Sequence, residues 1–178
     1  MAYKIPVYLF TGFLEGGKTH MIQESMESEQ FNSGDKTLII QCEEGVDELD
    51  PTAFAGKNCY LEIIDDPDDL NAANLTALGK KYKADRVIIE YNGMWNIEKL
   101  YRQCLPANWI LYQIMTLVDA STFEMYTKNM GQLMMEKIMS ADLLIFNRCT
   151  DELRAALRGR NLRMVNRRAD IYLENVDG

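Results

Sequence analysis

IPVYLFTGFLEGGKT, residues 5–19, decides how the rest of the chain is organised: an apolar run, a glycine-punctuated loop, then Lys-Thr at the head of a helix-forming stretch. Gly12, Gly17, Lys18 and Thr19 fit G-x-x-x-x-G-K-[ST], a pattern in which backbone N–H groups wrap phosphate oxygens. Gly12, Gly16 and Gly17 lack a Cβ, so the loop can turn with positive φ and bring its amides against an anion. Phe13, Leu14 and Glu15 fill the loop between them. Lys18 places a point charge against the β- and γ-phosphates, Thr19 offers a hydroxyl to Mg²⁺, and the helix N-terminus adds the positive end of its dipole. The pattern has meaning only between a strand and a helix, and residues 4–10 and 20–30 supply both.

Outward from that stretch, strands and helices alternate. Apolar runs at 37–42, 60–64, 85–90, 110–118, 142–147 and 169–173 read as strands. Helices are expected from Asp65-Asp66-Pro67 to about Tyr82, over 97–104, as one or two helices over 122–140, and over 151–159. Methionines at helical spacing in MGQLMMEKIM are assigned to core filling rather than to a metal box. The expected fold is α/β: a three-layer P-loop NTPase arrangement, a mostly parallel sheet with helices on both faces, forming one domain over 1–178. Ligands of such sheets bind at the carboxyl ends of the strands.

Composition bounds the partners. The 178 residues carry a net charge of −8, with 47% hydrophobic and 26% charged residues, as an ordinary globular domain does. That charge disfavours nucleic acid and anionic membranes as partners. No run approaches the roughly 18 apolar residues of a membrane span and no signal-peptide pattern opens the chain, so a cytoplasmic protein is expected. Cys42, Cys59, Cys104 and Cys149 form no C-x-x-C pair, and His20 is the only histidine, which excludes a His-rich metal site.

The strand ends hold the remaining chemistry. Glu90-x-x-Gly93 supplies a carboxylate for Mg²⁺ and a glycine amide for the γ-phosphate. Glu43 and Glu44 are adjacent on an extended segment, so only one of them faces the metal. Asn147 to Asp151 closes the sixth strand.

TGFLEGGKT, IIQCEEGVDE, VIIEYNG, LVDA and ADLLIFNRCTD together resemble, in order and spacing, the CobW-type metallochaperone GTPases, relatives of the nickel-insertion GTPases HypB and UreG. The resemblance runs from Ile5 to about Asp151. It implies GTP binding and hydrolysis with Mg²⁺, in support of metal delivery or metallocofactor assembly. By position, Gly12, Phe13, Leu14, Glu15, Gly16, Gly17, Lys18, Thr19 and the adjoining His20 would hold phosphates. Glu90 would join Lys18 and Thr19 in catalysis, and Thr19, Glu44 and Glu90 would serve Mg²⁺. Gly93 would form the switch, and Asn147, Arg148 and Asp151 would meet the base. A metalloprotein client and a nucleotide-dependent homodimer are implied partners, and family members usually carry a further C-terminal domain that this chain lacks.

The chain also departs from the pattern. Where the family has C-x-C-C, only Cys59 is present, so the transported metal is undetermined unless Cys42 and Cys59 meet in space. In place of N-K-x-D, Asp151 follows Asn147 by four residues and Thr150 takes the expected place, so guanine is read only if the loop bulges by one residue. An ATP-dependent kinase or ligase and a non-hydrolysing nucleotide-sensing domain therefore stay open.

Overall fold

The computed structural model describes residues 3–43, 45 and 47–176. Seven strands form one sheet in the order β3-β2-β4-β1-β5-β6-β7, and every pairing is parallel. β1 (Ile5–Thr11) lies in the middle, between β4 (Arg86–Glu90) and β5 (Trp109–Asp119). β2 (Thr37–Gln41) and β3 (Cys59–Ile63) extend one side, β6 (Leu143–Cys149) and β7 (Asp170–Asn175) the other.

The strands read as continuous apolar runs because both faces of the sheet are covered. Alternate residues divide between the faces. Leu38, Ile40, Val87 and Ile89 point toward α2 (Ala72–Tyr82) and α3 (Ile97–Lys99), whereas Ile39 and Ile88 point toward Ile22 and Met26 of α1 (Lys18–Glu27). Leu144 and Phe146 pack against Met134 and Ile138 of α5 (Gly131–Ser140), so part of the methionine run does fill the core. Other methionines of this region stay outside it: Met125 on α4 (Phe123–Asn129) and Met139 are exposed.

Several boundaries differ from expectation. α2 begins at Ala72, not at Pro67, because Asp66 closes a turn by accepting from the Asp68 N–H at 2.9 Å, and Asn71 is the cap, accepting from the Asn74 N–H at 2.9 Å. The first helix starts at Lys18 and ends at Glu27. α3 widens into a π turn over Leu100–Cys104. Residues 122–140 form two helices that break at Met130. A 3₁₀ turn at Pro51–Ala53 and the short α7 (Leu162–Val165), which follows α6 (Asp151–Arg158), have no counterpart in the sequence reading.

This topology gathers the loop after β1 and the ends of β2, β4, β5 and β6 at one edge of the sheet. Among the described residues no helix is long and apolar enough to cross a membrane.

Candidate functional site

The loop between β1 and α1 is shaped by its glycines. Gly12 has φ +143° and Gly17 φ +104°, both in territory where a side chain is strained. A Cβ on Gly12 would lie 2.4 Å from the Leu117 carbonyl oxygen, and one on Gly17 would lie 2.7 Å from Asn147 Nδ2. Glu15, which carries a side chain, takes φ +62° all the same.

Lys18 is buried beneath this loop and donates to the Gly12 carbonyl at 2.6 Å. It also pairs with Glu43 Oε1. Burial pushes its ammonium below the ordinary lysine range, and Glu43 works against that shift. Thr19 Oγ1 donates to Glu90 Oε1 at 2.6 Å, while Gln41 holds Glu90 Oε2 at 3.0 Å. A hydroxyl and an oriented carboxylate in contact, beside the lysine, are an oxygen donor set that fits Mg²⁺, directly or through water.

Gly93 packs against the phosphate loop so closely that a Cβ there would meet the Gly12 carbonyl at 2.6 Å. Its peptide is held at both ends. The N–H donates to Glu43 Oε2 at 3.1 Å, and the carbonyl accepts from Lys137 Nζ at 2.6 Å. Lys137, on α5, is buried and lies over the Phe13 ring at 4.7 Å; desolvation pushes its pKa down to about 8.

The side expected to meet the base is built differently. Asn147 Nδ2 donates to the Gly16 carbonyl at 2.7 Å, tying the phosphate loop to the end of β6. Its Oδ1 is buried without a partner among the described residues. The pairing of β6 with β7 shifts register between Phe146 and Cys149, and Arg148 takes φ +54°. This bulge absorbs one residue, so that Thr150 caps α6 through the Leu153 N–H at 3.2 Å and Asp151 opens the helix with its side chain exposed. Arg148 is held by Asp119 at 2.6 Å and by the Glu15 carbonyl at 3.1 Å. Burial raises the Asp119 carboxyl, but Ser121 and Arg148 more than offset it and leave it below the usual carboxylate range.

A cavity of about 750 Å³ runs from Thr19 and Gln23 past Asn147 and Arg148 to Asn175 and Val176 at the end of β7, with room for a nucleoside. Asp151 is not among its lining residues. His20 borders the cavity from the exposed surface of α1, where it pairs with Glu24 at 3.1 Å.

The structure therefore brings together Gly12, Gly16, Gly17, Lys18, Thr19, Glu90, Gly93 and Asn147. Glu44 lies outside the described residues, and the acidic side chain seen at the loop lysine is Glu43. Cys42 and Cys59 do not meet. Cys59 sits level with Thr37, five residues before Cys42, so about 16 Å of strand separates them. Lys137 was missed, although its spacing from Met134 and Ile138 places it on the buried face of its helix, an unusual position for a charge.

Residues 6–172 match the family model of the CobW/HypB/UreG nucleotide-binding domain. Among solved structures, the chain is similar to the Zn(II)-bound YjiA GTPase from E. coli, with TM-score 0.63 and 23% identity over 96% of this chain and 57% of that one. It is also similar to the hydrogenase maturation factor HypB from Archaeoglobus fulgidus (TM-score 0.58, 17% identity, 98% of this chain and 82% of that). HypB from Helicobacter pylori in complex with nickel aligns with TM-score 0.59 and 14% identity over 98% of this chain and 80% of that. No curated protein matches the chain. It spans 57% of the length of YjiA.

Proposed function

The chain belongs to the CobW/HypB/UreG nucleotide-binding domain family, and we propose that it binds GTP with Mg²⁺ and hydrolyses it in the cytoplasm, in support of metal delivery or metallocofactor assembly. The observation that carries this reading is the convergence of Lys18, the Thr19–Glu90 pair and the Gly93 peptide on one glycine-shaped loop. Lys18 would stabilise charge developing on the transferred phosphoryl group, and Gly93 would report its presence to the strand ends. Mg²⁺, held at Thr19 and Glu90, would neutralise the β- and γ-oxygens.

The metal-handling part rests on family membership and on relatives described as zinc- or nickel-bound. The thiols of this chain are dispersed, with Cys42, Cys104 and Cys149 buried apart from Cys59. The contribution proposed for this domain is accordingly the nucleotide switch, with the metal as cargo of the assembly it serves.

Nucleotide turnover by the purified chain, measured as phosphate release from GTP with Mg²⁺, tests the reading. Lys18→Ala should lower it by at least about a hundredfold. Turnover that survives the substitution would place the chemistry elsewhere, and binding without any hydrolysis in the unaltered protein would leave a nucleotide sensor.

A further inference from the structure

Glu43 holds the two donors that a terminal phosphate requires. One carboxylate oxygen accepts from Lys18 Nζ and the other from the Gly93 N–H at 3.1 Å. The lysine side chain is 2% exposed and the carboxylate 10%, so this bridge is shielded from water. In phosphoryl-transfer sites of this kind the loop lysine and the switch amide face the γ-phosphate. A carboxylate, with two anionic oxygens on one carbon, presents to that pair of donors much what two phosphate oxygens on one phosphorus would.

We propose that Glu43 is an internal surrogate for the γ-phosphate and sets the preference of the site between nucleoside triphosphate and diphosphate. The inference rests on the nucleotide reading given above and goes beyond it in naming the residue that a triphosphate must displace.

The surroundings explain why Glu43 itself must move. The Gly93 carbonyl is anchored by Lys137 at 2.6 Å, so the switch peptide does not follow Glu43 when the side chain leaves. The preceding residue is fixed as well: the Cys42 N–H donates to the Glu90 carbonyl at 2.9 Å, and the Cys42 carbonyl accepts from Asn92 Nδ2 at 3.3 Å. The freedom lies in the Glu43 side chain. Lysine carries three N–H donors. Lys18 gives one to the Gly12 carbonyl and one to Glu43, and its third reaches only the Phe13 carbonyl at 3.5 Å, a long contact that a β-phosphate oxygen would replace. A diphosphate is thus accommodated with the bridge intact, whereas a γ-phosphate needs the donors that Glu43 occupies and carries the same sign of charge. Once the γ-phosphate has departed, Glu43 re-forms the bridge and favours the diphosphate state.

Calorimetric titration of the full chain with Mg²⁺ and either GDP or a non-hydrolysable GTP analogue, repeated with the adenine pair, tests this. In Glu43→Gln the amide can accept at one end only, and its NH₂ opposes the Gly93 N–H. The triphosphate-to-diphosphate affinity ratio should then rise about tenfold or more over that of the unaltered protein. An unchanged ratio in a variant that still binds nucleotide would overturn the inference and leave the nucleotide reading intact. If the unaltered protein binds none of these nucleotides, the nucleotide reading itself fails and the inference falls with it.

Should Glu43→Gln not fold, the unaltered protein carries its own reporter. Trp95 lies two residues after Gly93 along the switch, its backbone N–H bonded to the Asn92 carbonyl at 3.1 Å. With the switch peptide held in place, its fluorescence should respond to the change of partner and charge at the Gly93 N–H, and so to the triphosphate analogue and much less to GDP; equal responses to the two would overturn the proposal.

Discussion

The two sides of the cleft, proposed to take the phosphates and the base, are made by different means. Around Lys18 each charged group is paired within a few ångströms: Lys18 with Glu43, Thr19 with Glu90, Glu90 with Gln41, and the Gly93 peptide at both ends. Around Asn147 the contacts are sparser: among the described residues Oδ1 is buried yet unpartnered, the one charge pair is the half-exposed Arg148 with Asp119, and Asp151 faces solvent. Buried polar networks are costly when any member is lost, whereas exposed contacts compete with water. Substitutions on the phosphate side should therefore propagate through the site, and those on the base side should stay local.

The largest effect that would break this contrast concerns Lys137. Its folded pKa of about 8 lies below the ordinary 10.5, so between those pH values the unfolded chain binds more protons than the folded one. Stability from this group accordingly rises with pH across that window, by up to about 3 kcal/mol. Lys137→Met removes the titration and leaves the Gly93 carbonyl without its donor. In urea unfolding, the stability of the unaltered protein relative to Lys137→Met should increase from pH 7.5 to pH 10, while groups common to both cancel. A constant difference would mean that burial does not lower the Lys137 pKa below that of the unfolded chain. Turnover should fall as well, because the switch peptide loses its anchor.

Asn147 comes next, because it joins the two sides. Its bond to the Gly16 carbonyl fastens the phosphate loop to β6. Asn147→Ala should cost about 1–2 kcal/mol of stability and weaken guanine and adenine nucleotides alike, by about tenfold. Thermal melts and titrations with both bases check this. A loss confined to guanine nucleotides would make Asn147 a base reader rather than a fastener.

These residues also show how far the sequence carried. The parallel sheet was legible because strands buried on both faces must be apolar throughout, and the phosphate loop because its chemistry is local to eight consecutive positions, Gly12 to Thr19. Glu43–Lys18 and Lys137–Gly93 join positions 25 and 44 residues apart, and no periodicity encodes which distant partner a charge will find. Sequence places the start of α2 at Asp65-Asp66-Pro67, and only the contact between Asn71 and the Asn74 N–H identifies the true cap. The four-residue spacing from Asn147 to Asp151 did hint at a bulge. That the bulge falls at Arg148, with Thr150 spent on capping α6, required the register of β7.

The smallest effect is expected at Asp151, and it tests the sparser side of the contrast most directly. The bulge restores the carboxylate to the start of α6, yet the side chain stays exposed. Two hydrogen bonds to a guanine edge would there compete with water and contribute about 1 kcal/mol, a preference of about fivefold over adenine. Asp151→Ala should remove that preference, leave the affinity for a bare phosphate chain unchanged, and lower stability by about 0.5 kcal/mol through the lost charge at the helix N-terminus. Competition titrations with GDP against ADP measure it. A loss near a hundredfold would mean that the cleft closes over the base and excludes water from Asp151, which would make the base side as tightly built as the phosphate side. No change would reduce Asp151 to the first residue of a helix and leave the selectivity of the site to its shape.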